Sequence, residues 1–289
     1  MMKIVYVILH YNTYEVTCEC IDSILKMKSN ESEIVVVDNN SVNRSYDALV
    51  DKYMGNNQVH LIQTSCNLGF ANGNNFGYAY AKNNLNAQII VDINNDVTIE
   101  QPDFEDIIQS SCNDDIGVLA PRIINIRGYE QNPFREQPIP TSKMIKRFIV
   151  YGIYTLLLFI PLVNSGVMFL YNRKAENKTI RNTEPDKCAR YGIVPHGSCV
   201  VFMPSYVEKT NMGFHPGTFF YGEEDLLYDL VRFYGLKTYY CPEAFINHKE
   251  KVATSTINQD EVKRARFVAW NKCRSALVCA MYRLKPHTL

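Results

Sequence analysis

Short blocks of aliphatic and β-branched residues recur along the first hundred positions, and each gives way to a polar cluster. Ile4 to Leu9, Ile34 to Val37, Val59 to Gln63 and Ile89 to Ile93 have the length and composition of strands, continuous enough to be covered on both faces. Between them, apolar positions fall at helical spacing. Val16, Cys20 and Ile24, with Ile21 and Leu25, follow Thr13, which can cap that helix; a second helical stretch surrounds Tyr46 to Tyr53, and a third follows the Asn67 to Asn75 loop and runs through about Lys82. The rhythm lapses between about Arg127 and Val194 and then resumes. Cys199 to Met203 reads as a strand, Tyr206 to Met212 as a brief helix, and Phe219 to Leu227 as the entry to a helix that runs to about Tyr234 and is stopped by Gly235. Thr238 to Cys241, with Pro242, is the next strand, leading to His248-Lys249-Glu250.

Strands alternating with helices in this way predict βαβ crossovers and an α/β fold: a mostly parallel sheet flanked by helices on both faces. Ligands of such sheets collect at the carboxyl ends of the strands. His10 to Asn12, Asp38 to Ser41, the Asn67 loop and Asn94 to Asp96 all stand at such ends, so four polar clusters are expected to converge on one crevice. With no internal repeat and no low-complexity linker, the chain reads as one catalytic domain with appendages, residues 1–255, carrying a hydrophobic insertion at 127–194 and a helical tail at 256–289.

Composition changes this picture in three places. Thirty basic and thirty acidic residues cancel, which argues against a nucleic-acid binder acting through bulk charge. The tail is nonetheless basic, with Lys263, Arg264, Arg266, Lys272, Arg274, Arg283 and Lys285 against Glu261, and mixes these with Val262, Phe267, Val268, Leu277 and Met281; it reads either as an ordinary packed helix or as one that docks on anionic lipid. Nine cysteines without a CxxC pair point to reduced thiols and a cytoplasmic chain. The N-terminal apolar run is too short for a signal peptide and reads as the first strand. Phe148 to Tyr171 carries no charge and has basic flanks, Lys143, Lys146 and Arg147 before and Arg173 and Lys174 after; Pro161, Asn164, Ser165 and Gly166 interrupt it. Both ends therefore stay on one side, and the stretch is expected to touch a membrane at its interface or to form a buried helical pair, rather than span.

Several acids are placed for chemistry. Glu223, Glu224 and Asp225 fall in the first turn of a helix, where the dipole favours negative charge; three adjacent carboxyls crowded by Phe219 to Tyr221 and Leu226, Leu227 also raise at least one pKa, as a general base requires. Asp96, at the mouth of a buried strand, is either a helix cap or loop acid, or a hard oxygen ligand for Mg²⁺ or Mn²⁺ completed by substrate phosphates. Asp38 is either an Asx-turn residue or an acceptor for the imide N–H of a uracil-type base. His248 is either structural or a ligand, and the Asn- and Gly-rich loop by itself is weak evidence for phosphate.

Taken together, Val5-Tyr6-Val7-Ile8-Leu9-His10-Tyr11-Asn12, Val35-Val36-Val37-Asp38-Asn39-Asn40-Ser41, Asn67-Leu68-Gly69-Phe70-Ala71-Asn72-Gly73-Asn74-Asn75, Asn94-Asn95-Asp96 and Tyr221-Gly222-Glu223-Glu224-Asp225-Leu226 resemble, in order and spacing, the family 2 inverting glycosyltransferases of GT-A (Rossmann-like) fold, especially their bacterial rhamnosyltransferase-like branch. The resemblance covers roughly residues 3 to 125 and 195 to 250. It implies that His10, Tyr11 and Asp38, with Asn40, hold the nucleotide base, that Asn67, Gly69 and Asn74 or Asn75 seat nucleotide and sugar, and that Asn94-Asn95-Asp96 stands for the DXD-type metal motif with Asn in place of the first Asp. It further implies Glu224 as the base, with Glu223 and Asp225 as contenders, and His248 as the residue that completes the metal site. The implied reaction moves a sugar from a UDP- or dTDP-type donor to a hydroxyl of a glycan or lipid-linked acceptor, with inversion, at the inner face of a cell membrane during bacterial surface polysaccharide synthesis. Two competing readings are a nucleotidyltransferase, which lacks its basic glycine-rich loop here, and an inactive partner subunit, which would be expected to have lost the acidic cluster.

Overall fold

The computed structural model describes residues 2–27, 32–161, 163, 166, 168, 184–250 and 261–285. Its centre is a sheet of nine strands: β1 (Ile4–His10), β2 (Glu33–Asp38), β3 (Val59–Gln63), β4 (Ile89–Asn94), β5 (Val97–Thr98), β6 (Ile116–Asn125), β7 (Arg190–Tyr191), β8 (Cys199–Phe202) and β9 (Lys237–His248). They lie in the order β3-β2-β1-β4-β8-β6-β9-β5, with β7 added on β9. The first four of that order are mutually parallel, as the βα rhythm predicts. β8 runs antiparallel to both β4 and β6, while β6 and β9 are parallel. The sheet is therefore mixed but mostly parallel.

Alternation along each central strand divides the core into two layers. Tyr6, Ile8, Val36 and Val91 point to one face, where α1 (Tyr14–Leu25), α2 (Ser45–Tyr53) and α4 (Phe104–Ser110) cover them with Ile21, Leu49 and Phe104. Val5, Val7, Val35, Val37 and Ile90 point to the other, under α3 (Gly69–Leu85), α6 (Pro204–Lys209) and α7 (Glu223–Phe233). A further layer lies outside α7. There Leu226 and Leu230 meet Met144 of α5 (Thr141–Leu157) and Cys279, Ala280 and Tyr282 of α8 (Glu261–Leu284). α5 and α8 run antiparallel: Leu158 packs on Ala265 and Ala269, while Cys273 Sγ reaches Phe148 O from the middle of the pair.

Two expectations and one omission need correction. Asn67 to Asn75 is not a loop before a helix, because α3 begins at Gly69. Gly73 and Gly77 fall on its inner face, where an added Cβ would come within 2.6 Å of Leu9 and 2.5 Å of Val7, so the glycines let the helix lie directly on β1 and β2. The strand after Gly235 does not stop at Pro242: a bulge, in which Pro121 pairs with Cys241 and Arg122 with Phe245, absorbs the proline and carries β9 on to His248. Finally, Ile116 to Asn125, unassigned by its periodicity, is the longest strand pairing with β9. Of the uncharged stretch 148–171, the described part continues α5 and packs on α8; residues 162, 164, 165, 167 and 169–183 lie outside the described residues. No described helix is long and apolar enough to cross a membrane. All nine cysteines are free.

Candidate active site

A cavity of about 440 Å³ opens at the carboxyl ends of β1, β2 and β4, where the parallel strands direct their polar clusters. Tyr11, Asn67, Asn94, Asn95 and Asp96 line it from one side, and Glu223, Glu224 and His248 from the other. The structure thus brings together the first-strand, third-loop, metal-type and acidic motifs.

Asp96 and His248 meet because β5 pairs with β9 in a register that sets Val97 against His248. Asp96 Oδ1 lies 3.2 Å from His248 Nε2, and both side chains are buried. Gln131 donates from Nε2 to Glu250, which turns its Oε1 toward His248 Nδ1 at 2.7 Å. With Gln131 Oε1 accepting from Nδ1–H, Nε2 faces the Asp96 carboxylate either as a second N–H donor or across a bound cation. Among the described residues no three His, Cys, Asp or Glu side chains form a metal-binding cluster. One oxygen and one imidazole nitrogen suit a divalent ion whose remaining ligands come from a phosphate-bearing substrate.

Asn95 is held by Thr13 and Thr17, its Nδ2 donating to both hydroxyls. Thr13 thus serves α1 through this contact and not through a side-chain cap. His196, which sequence reasoning passed over, also lines the cavity, with its ring centroid 5.8 Å from that of His248. It arrives there because β8 is antiparallel, so the residues before its first strand position lie beside the end of β4; Ser198 O accepts from Asn94 N at 2.9 Å. Ser198 N donates to His196 Nδ1, and burial, with His248 beside it, lowers the imidazole to about 3, so His196 is neutral. The only sequence signal was the His196-Gly197-Ser198 cluster flanking a strand whose direction periodicity does not reveal. Asn39 was another omission. Its side chain accepts from Leu68 N and donates to Asn67 Oδ1 and Gly69 O, joining the second and third clusters.

Other sequence-selected residues sit behind the cavity wall. His10 is fully buried, its ring bridging Thr17 Oγ1 and Ser45 Oγ, and burial lowers it to about 4 despite Asp38 nearby. Asp38 is equally buried and accepts from Ser41 N, three residues on, at 3.1 Å and from Gln63 Nε2 at 2.8 Å, so its carboxylate ties down the turn after β2 without forming an Asx-turn. Asn40, in the left-handed region at φ +63°, turns the chain after it. Asn75 exchanges hydrogen bonds with Phe214 N and O, fixing α3 to the segment before α7. Asn74 is buried without a partner for either amide atom among the described residues. Gly69, at φ +77°, starts α3 with its Cα against Phe219.

The three acids diverge. Tyr221 and Gly222 both adopt left-handed backbone, φ +73° and +85°, and turn the chain sharply into α7. Asp225 then points away from the first cavity. It pairs with Arg135, accepts from Ile139 N at 2.8 Å, and has Arg283 at 3.5 Å. Glu223 is buried, and burial together with the neighbouring Glu224 raises it to about 8, which keeps it largely protonated at neutral pH. Glu224 is also raised by burial, while Arg135 opposes that rise. Its side chain lies against Gly197, where an added Cβ would stand 3.6 Å from Glu224 Oε1, in ordinary contact. Glu224 lines both the first cavity and a second one beyond it.

With this geometry in view, comparison with known proteins is informative. The family described as Glycosyl transferase family 2 matches residues 6–180. The low-salt glycan biosynthesis hexosyltransferase Agl10 of Haloferax volcanii is 27% identical over 128 residues, covering 44% of this chain and 39% of that protein. The chain thus spans well under half the length of that relative. Among solved structures, GalNAc-T7 with UDP, GalNAc and Mn²⁺ superposes with a TM-score of 0.57 at 14% identity, covering 88% of this chain and 45% of the other. Staphylococcus aureus TarS residues 1–349 with UDP gives 0.53 at 14% identity, covering 93% and 65%. At such identity these likenesses show a shared GT-A-like fold.

Proposed function

The chain belongs to glycosyl transferase family 2, and from that premise we propose that it moves a sugar from a nucleoside-diphosphate donor to an acceptor hydroxyl with inversion at the anomeric carbon. The observation that carries this reading is the joining, in one cavity, of the Asp96–His248 pair with Glu224. Glu224 accepts the proton of the acceptor hydroxyl as that oxygen forms its bond to the anomeric carbon. The bond from that carbon to the diphosphate breaks on the opposite side, and its electron pair leaves with the nucleoside diphosphate. A positioned base of this kind contributes about 10²- to 10⁴-fold.

Asp96 and His248 are the residues that would hold Mn²⁺ or Mg²⁺, which when bound supplies positive charge to the departing diphosphate. With a single carboxylate, the pair binds metal weakly until donor phosphates add ligands. Tyr11, Asn67, Asn94 and Asn95 line the part of the cavity assigned to nucleotide and sugar. His10, Asp38 and Asn40 act from behind the wall by fixing its shape. Glu223, protonated at neutral pH, is a donor to the sugar or acceptor, and Asp225 is a structural counter-ion.

Hexosyl transfer, with rhamnosyl transfer as a narrower case, in the building of a surface glycan is the biological role this supports. Residues 1–255 form the catalytic unit in this reading, with α5 in its insertion and α8 in its tail, and the outer faces of both helices meet the inner surface of the cell membrane. The test is donor hydrolysis across a panel of UDP- and dTDP-sugars with Mn²⁺ or Mg²⁺, comparing wild type with Asp96→Ala. We expect one preferred donor and loss of turnover in the variant. Absence of hydrolysis with every donor and metal would instead favour the inactive-subunit reading.

A further inference from the structure

A single segment between β6 and α5, Gln131 to Arg135, touches both halves of the active site. At one end Gln131 Oε1 lies 2.7 Å from His248 Nδ1. Beside it, buried Asn132 donates from Nδ2 to Pro121 O at 2.7 Å and accepts from His196 N at 2.7 Å, which ties the segment to β6 and to the approach to β8. Backbone bonds from Phe134 N to Val194 O at 3.1 Å and from Val194 N to Arg135 O at 2.8 Å continue that join. The Phe134 ring meets the His196 imidazole edge to face, 5.2 Å between centroids, and the Arg135 guanidinium lies over the Phe134 ring at 4.4 Å.

At its other end the segment reaches the first turn of α7. One terminal nitrogen of Arg135 pairs with Asp225, and both residues line the second cavity, of about 360 Å³, together with Glu224. Ile139 N at 2.8 Å and Arg283 hold Asp225 as well. Successive side chains on a helix point about 100° apart, so anchoring Asp225 fixes the rotation of that turn and with it the direction of Glu224. The pairing leaves part of the guanidinium unused: Arg135 Nε is buried and has no hydrogen-bond partner among the described residues. Burial, and after it Asp225, raises the Glu224 carboxyl, and the charge of Arg135 opposes both. The other charged groups around Glu224 come from every side. Glu223 precedes it on α7, Arg147 of α5 and Lys272 of α8 line the second cavity, and Asp96, His248 and Glu250 share the first. Arg135 differs from these in being carried by the segment that also holds His248.

We propose that Arg135 is the positioning residue for the base: through Asp225 it sets the first turn of α7, and its guanidinium stands as the cation beside Glu224, in register with the Asp96–His248 pair. This rests on the reading of Glu224 as the base.

The Glu224 carboxyl can be titrated directly by ¹³C NMR of the full chain labelled in its glutamate side chains, the signal being identified by its loss in Glu224→Gln. We expect Arg135→Gln to raise that titration by about 1 pH unit, because burial and Asp225 then act unopposed, and Arg135→Lys to return it close to wild type. In hydrolysis of the donor selected by the panel above, the acidic limb of kcat should move with it, turnover on that limb falling about ten-fold, while KM for the donor stays within about two-fold of wild type. Arg135→Lys should regain the limb but only part of the rate, since an ammonium lacks the planar fork and stacking face of a guanidinium. Thermal unfolding reports whether each variant folds; Asp225 keeps Ile139 N–H and Arg283 in both. A Glu224 titration unmoved in Arg135→Gln, or moved equally by Arg135→Lys, overturns the assignment, as does a loss of stability with kcat and KM changed together and the limb unmoved. Wild-type kcat in Arg135→Lys also overturns it, without recourse to the Gln variant. Full turnover by Glu224→Gln would instead sink the base reading, while the NMR titration still decides the place of Arg135.

Discussion

Asp92 sits in the middle of β4, 1% exposed, and neither carboxyl oxygen has a hydrogen-bond partner among the described residues. Burial alone pushes its carboxyl well above the ordinary value of 3.8. The folded chain therefore keeps this proton while the unfolded chain releases it. Stability from this group is complete below about pH 4 and is lost as pH rises toward the raised folded value. Asp92→Asn removes that dependence; in thermal unfolding between pH 4 and 8 we expect the variant to gain on wild type as pH increases, and parallel curves would refute it. The acids of α7 invite a contrast of function with structure. Glu224→Gln should lower sugar transfer by about 10²- to 10⁴-fold with unchanged unfolding, whereas Asp225→Asn, which strips a buried partner from Arg135 and Arg283, should cost about 3–5 kcal/mol in denaturant titration. Because the Glu224 carboxyl is raised, the acidic limb of the transfer rate should lie above the ordinary carboxylate range, the rate climbing as Glu224 ionises. Adjacent acids at a helix start were visible in the sequence; that Glu223 and Glu224 line the first cavity while Asp225 turns away depended on the left-handed turn at Tyr221 and Gly222.

Among the elements, α3 shows how a motif can be recognised and its conformation misjudged. Asn and Gly in alternation suggest a loop by propensity, yet glycines at positions 69, 73 and 77 recur every four residues, the spacing of one helix face. Their value is close approach to the sheet. Gly77→Ala adds a methyl 2.5 Å from Val7 Cγ1 and 2.7 Å from Val37 Cγ2. Both neighbours are β-branched and stiff, so the clash should outweigh the gain of about 1 kcal/mol in helix propensity, and we expect net destabilisation of about 1–3 kcal/mol with an unchanged denaturant slope. A stabilised variant would mean that α3 stands further from β1 than described. β9 offers the complementary case. Pro242 marks a strand end by local rules, but the bulge opposite Pro121 and Arg122 lets pairing resume, and only that continuation delivers His248 to Asp96.

At the scale of the whole molecule, the helix pair α5–α8 is the part whose role depends on its surroundings. It packs on α7 through its inner side, so the fold uses it as a buried layer as well as presenting its apolar stripes outward. The two expectations for the uncharged stretch are therefore not exclusive for the part described. Trp270 is the chain's one tryptophan and is 57% exposed on the outer side of α8. We expect its fluorescence to shift to the blue on mixing with phosphatidylglycerol vesicles and much less with phosphatidylcholine, and the shift to weaken with salt, since the flanking Lys263 and Arg274 contribute through screened charge. An unchanged spectrum with both vesicles would remove the membrane from the functional picture.

The sequence by itself determined the strand and helix alternation of the first half, the polar clusters at the strand ends, and the α/β class, because these follow from periodicity and from the chemistry of residues close together in the chain. It also singled out Asp96, Glu224 and His248, which the fold brings to one cavity. Tertiary structure decided the rest: the antiparallel direction of β8 that brings in His196, the bulge that delivers His248, the turn that divides Glu224 from Asp225, and the second cavity between α7 and the helix pair. Each joins residues distant in the chain through pairing direction or packing, and neither hydrophobic periodicity nor local propensity encodes strand direction or which helix lies over which.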